Sequence, residues 1–75
     1  MSTTKTETLK SLYTPDAPYE IKREIHNALM AQRNAAALVE LARSEKDPAM
    51  KREIVSKLSS MNSKEATDYL LELLK

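Results

Sequence analysis

His26 is the one histidine in a chain of 75 residues, and imidazole is the side chain best suited to exchange a proton or hold a metal near neutral pH. Its helical neighbours three and four places away are Lys22, Arg23, Leu29 and Met30. No second ligand shares its face, whereas a metal site needs several converging on one point. The spacing predicts a structural histidine, partly buried or at the surface, flanking the core. Carboxylates pair at i, i+4 twice, as Glu20 with Glu24 and Asp68 with Glu72. General acid–base work by such a pair requires a desolvated cleft that drives the two pKa values apart, and neither segment builds one. Arg23 and Lys75 stand within helical reach of Glu20 and Glu72 as neutralising partners. Ser56, Ser59 and Ser60 carry hydroxyls, but a serine nucleophile needs an adjacent base, and no histidine shares their helix. The sequence therefore predicts no catalytic residue, no metal, no cofactor and no small-molecule substrate.

Two basic pairs, Lys22-Arg23 and Lys51-Arg52, recur along the chain. Rows of cations on stacked helices can meet phosphates, so Lys22, Arg23, Lys51 and Arg52 are the candidates for nucleic-acid contact. That reading is the alternative one. Glu24 and Glu53 adjoin the two pairs, the net charge is only +1, and no aromatic residues interleave with the cations. Cysteine is absent, which excludes disulfides, thiolate metal sites and thiol nucleophiles. Glycine is absent too, which excludes phosphate-cradling loops and glycine-closed helix ends. The lack of both is in keeping with an engineered or trimmed scaffold. The longest apolar run, Ala35 to Val39, is too short to span a bilayer or serve as a signal segment, and a cytoplasmic location is expected.

Several helices must position these residues. Thr4 and Glu7 fit a capping box, after which Leu9, Leu12 and Tyr13 fall on one helical face. Thr14-Pro15-Asp16-Ala17-Pro18 ends that helix, because proline lacks an amide donor and restricts the residue before it. A second helix runs from about Pro18 to Ala31, with Ile21, Ile25, Ala28 and Leu29 as its inward stripe. Asn34 caps a third, from about Ala35 to Arg43. Asp47 and Pro48 start a fourth, which carries Met50, Ile54, Leu58 and Met61. Ser63 caps a fifth with Ala66, Tyr69, Leu70, Leu73 and Leu74. Short loops fold consecutive helices back on each other. The expectation is an all-α chain of about five short helices, forming two antiparallel pairs plus a trailing helix.

Lys22-Arg23-Glu24-Ile25 recurs unchanged as Lys51-Arg52-Glu53-Ile54. In the same register Ile21 matches Met50, Leu29 matches Leu58, Leu9 matches Leu38 and Leu12 matches Leu41. Past the next loop, the segment Leu38 to Arg43 answers Leu70 to Lys75. A repeated helix pair of this length is a solenoid signature. The segment from Asp47 through Met50-Lys51 and Ile54 to Leu58 resembles the turn and second helix of a HEAT-like repeat, of the bacterial phycobilin-lyase type. Ile21-Lys22, Ile25 and Leu29 match it in the earlier copy, although Pro18 stands where the later copy has Asp47. The resemblance implies a HEAT-like α-solenoid fragment in a single domain over 1–75, with repeats at about 4–33 and 34–62 and a trailing helix at about 63–75. It also implies that Lys22 and Lys51 pair with turn carboxylates, Asp16 and Asp47.

The last helix is richer in apolar residues than a closing helix needs. Tyr69, Leu70, Leu71, Leu73 and Leu74 leave Glu72 and Lys75 as the polar members of the final seven residues, whereas a solenoid's terminal helix normally carries a polar outer face. Leu71 lies roughly opposite the inward stripe. Tyr13 and Tyr19 bracket a second apolar edge. The candidate protein interface is thus Tyr69, Leu70, Leu71, Leu74, Tyr13 and Tyr19. The expected function is a non-catalytic protein-interaction or scaffolding module, docking to a second copy or to adjoining repeats.

Overall fold

The computed structural model describes residues 2–75, with side chains from residue 7 onward. Five helices follow in order: α1 (Ser2–Leu12), α2 (Tyr19–Ala31), α3 (Ala35–Ser44), α4 (Pro48–Ser60) and α5 (Lys64–Leu73). Among the described residues there is no strand. The chain is all-α.

Local chemistry sets three of the helix starts. The Ala37 amide donates to Asn34 Oδ1 at 3.1 Å, the Ala49 amide to Asp47 Oδ1 at 2.9 Å, and the Ala66 amide to Ser63 Oγ at 3.1 Å. Each cap satisfies an amide that the helix itself leaves without a partner. Pro48 adds a preset φ at the first position of α4. The start of α1 departs from expectation: the helix begins at Ser2, ahead of Thr4, whose side chain lies outside the described residues.

The close of α2 supplies a helix end that the composition argued against. Arg33 adopts φ 54°, the left-handed conformation in which a Cβ is crowded. Its amide donates to Met30 O at 3.0 Å and the Asn34 amide to Leu29 O at 2.9 Å. These are the two bonds of a Schellman motif, built here with arginine in the position that glycine usually fills.

α3 packs against all four other helices, and α4 and α5 also pack on each other. Ala35, Ala37 and Ala42 are buried on α3 beside Leu38 and Leu41, and such small side chains let several helices approach one. Ile25 and Leu29 of α2, Ile54 and Leu58 of α4, and Ala66 and Tyr69 of α5 complete the core. The molecule measures 30 × 28 × 16 Å. Its thin dimension matches two helix layers, since packed axes lie about 8–10 Å apart.

Two expected faces are rotated. On α2 the buried residues are Lys22, Ile25, His26 and Leu29, while Ile21 is 43% exposed, although its counterpart Met50 is buried. Lys22 and His26 can enter because polar partners wait for them inside. On α1, Leu9 and Tyr13 pack against the core, but Leu12 is exposed.

Candidate interaction surface and the polar network behind it

The polar partners come from two loops. Glu45 follows the last turn of α3 and is buried. Its Oε1 accepts from the Tyr13 hydroxyl. Its Oε2 accepts from Lys22 Nζ at 3.1 Å and from the Asp47 amide at 3.0 Å. Burial pushes the Glu45 carboxyl up, yet the bonds from Tyr13, the Asp47 amide and Lys22 outweigh it and hold the group below its usual range. Burial and the bond to Glu45 raise the Tyr13 phenol.

His26 is the inner end of this chain. Its Nε2 lies 2.8 Å from Tyr13 Oη, and the rings meet at 5.3 Å between centroids. The single phenolic proton goes to the carboxylate, which can only accept. His26 Nε2 therefore carries the imidazole proton and donates to Tyr13. Nδ1 is left bare, buried and without a hydrogen-bond partner. A second proton would land in the core with nothing to receive it, and burial, aided by Lys57, lowers His26 to about 4. Apart from the buried His26 Nδ1, the network is thus a set of committed donors and acceptors. It ties the loop before α2 and the loop before α4 to the middle of α2.

Several assignments made from sequence change accordingly. His26 is wholly buried, not merely at the margin of the core. Lys22 is also buried and bonded to Glu45, so it is withdrawn from any phosphate. Its partner is Glu45, not Asp16 or Asp47; Asp47 spends its carboxylate on capping α4. Arg23 pairs with Glu53 at 3.2 Å, not with Glu20. Lys51 and Arg52 have no side-chain ion pair among the described residues, nor does Lys75, because Glu72 goes to Arg43 in a two-pronged bond of 2.6 and 3.1 Å. Asp68 takes Lys64 at 3.1 Å, so Asp68 and Glu72 each hold a different cation. Among the described residues no group of three or more His, Cys, Asp or Glu side chains could hold a metal, and no helix is long and apolar enough to cross a membrane.

Two of the three tyrosines, Tyr13 and Tyr69, also move off the expected interface. Each ring lies beneath a cation of its own chain: Tyr13 under Lys22 at 5.3 Å, Tyr19 under Arg23 at 5.5 Å, and Tyr69 under Arg43 at 5.2 Å. The negative face of an aromatic ring attracts such a charge. Tyr69 is buried and its hydroxyl has no hydrogen-bond partner, while Tyr13 belongs to the network. Tyr19 remains half exposed, with its hydroxyl donating to Glu53 at 2.8 Å.

Besides Leu12, Tyr19 and Ile21, the exposed large apolar side chains lie at the far side of α5 and its end. Leu71 is 55% exposed, Leu73 44% and Leu74 83%, with Leu70 half-buried beside them. Asp68, Leu71, Glu72, Leu74 and Lys75 line a shallow groove along this face. Behind it, three ion pairs each join a helix to the one two places further along: Lys10 to Glu40, Arg23 to Glu53 and Arg43 to Glu72. No known protein family, no curated protein and no solved structure matches this chain.

Proposed function

We propose that this chain is a non-catalytic protein-interaction and scaffolding module, a HEAT-like helical array that docks a helical partner on α5. The observation that carries the reading is a difference between two matched segments. Leu38, Leu41 and Ala42 of α3 are buried. Their counterparts in the repeat register, Leu70 and Leu73 of α5 and Leu74 at its C-cap, are half-buried or exposed. α3 has helices on several sides, whereas α5 is flanked by α3 and α4. The α5 leucines are core-type residues awaiting a neighbour, and apolar patches of this kind mark interaction sites.

Covering one such leucine is worth about 1.5–3 kcal/mol. Leu71 and Leu74, counted on two molecules, exceed the lower end of the association cost, about 4 kcal/mol, and support self-association in the high-micromolar range. The basic pairs give less support to the nucleic-acid alternative, because Lys22 is buried and Arg23 is engaged.

The test is the double variant Leu71→Lys, Leu74→Lys. It should keep the helical circular-dichroism signal and its melting temperature, since both positions face water, while concentration-dependent association disappears from sedimentation velocity. Association of undiminished strength in the variant would refute the docking role of α5.

A further inference from the structure

We infer that the partner on α5 is a second copy of this chain, docked so that the two α5 helices lie antiparallel across a two-fold axis near Leu71. The inference rests on α5 being the docking face and goes on to name its occupant and register.

The two ends of the molecule are unlike. Among the described side chains of α1 the exposed ones are Glu7, Thr8, Ser11 and Leu12, three of them polar. A head-to-tail stack would press the α5 leucines onto hydroxyls and a carboxylate, at a desolvation cost with little apolar return. Another α5 offers the matching surface, and a patch that meets its own copy forms a closed, isologous dimer.

Charge sets the register. Asp68 and Leu71 follow at i and i+3 on α5, and Lys75, just past the end of the helix, lines the same groove. When two such faces run antiparallel about Leu71, Asp68 of each copy lies across from Lys75 of the other. Two-fold symmetry makes the pair twice, one pair at each end of the leucine contact. Lys75 has no ion pair among the described residues, and Asp68 holds only the exposed Lys64. Antiparallel placement also matches the packing already present, because three-residue links join α3 to α4 and α4 to α5 and fold each helix back along its neighbour.

Sedimentation velocity from about 5 to 500 µM, a span that brackets the expected affinity, tests this with the variants Asp68→Lys and Lys75→Glu. The wild type should form dimers and nothing larger. Each variant alone places two like-charged pairs at the rim and should weaken the dimer about tenfold. An equimolar mixture of the two variants restores both opposite-charge pairs, and should recover dimer to within about threefold of the wild type. Growth beyond dimers, or a mixture no better than its components, overturns this register while leaving α5 as a docking face. A wild type that remains monomeric across the range overturns both the register and the second copy as the occupant of α5.

Discussion

His26 shows how a single side chain couples the fold to pH. Its neutral form is stabilised inside, with a folded value near 4 against 6.5 for the free side chain. The unfolded chain therefore binds the proton more readily at every pH between those values. Stability is fully present above the unfolded value and is lost as pH falls toward the folded one. Between about pH 7 and pH 5 the loss should reach about 2 kcal/mol. Glu45, held below its ordinary value, adds to the loss in stronger acid. Urea titrations at several pH values check this, and the variant His26→Leu should flatten the dependence above pH 5. A wild type equally stable at both pH values would show that the imidazole is not held neutral. This network was not legible in the sequence. Glu45 sits in a polar loop that reads as solvent-facing, and its partners Tyr13 and Lys22 lie 32 and 23 residues away. No local period links them. The three cation-covered tyrosine rings were hidden for the same reason, although Arg23 near Tyr19 gave a hint.

Elements were far more readable, because their limits are set by near neighbours. Asn34, Asp47-Pro48 and Ser63 each act on amides within three residues, and α3, α4 and α5 begin where these caps place them. What could not be read was the rotation of α2, since the choice between Ile21 and Lys22 as the inward residue depends on Glu45. The end of α2 was equally opaque, for Arg33 carries no mark of a left-handed residue. That site has a direct consequence. Replacing a non-glycine residue in the left-handed region relieves crowding of about 1–2 kcal/mol, partly offset by the greater freedom of glycine in the unfolded chain. Arg33→Gly should therefore stabilise the protein by about 0.5–1 kcal/mol and raise its melting temperature by a few degrees, about 2–6 °C. Thermal unfolding followed by circular dichroism reads the change, and a lower melting temperature would mean that the arginine side chain contributes more than its backbone costs.

At the level of the whole molecule, the helices are unevenly covered. Ile25 with Ile54 and Leu29 with Leu58 are matched pairs that are all buried, as the recurring tetrapeptide suggested. The ion pairs from α1 to α3, α2 to α4 and α3 to α5 hold successive helices in step, each of them exposed enough to count for little alone. At α5 the leucines run on without a neighbour, and a third of the interface named from sequence is turned inward: Tyr69 and Tyr13 serve the chain itself. Leu71, Leu74 and Tyr19 stay exposed, with Leu70 half-buried, and the first two lie together on the α5 groove. The amide spectrum of the wild-type protein, recorded as a concentration series up to about 1 mM to pass the expected affinity, tests that assignment most directly. Docking through α5 gives concentration-dependent shifts at Leu71, Leu74 and Lys75, with the amides of His26 and Glu45 unmoved; a spectrum unchanged throughout, or shifts centred on α1, would contradict it.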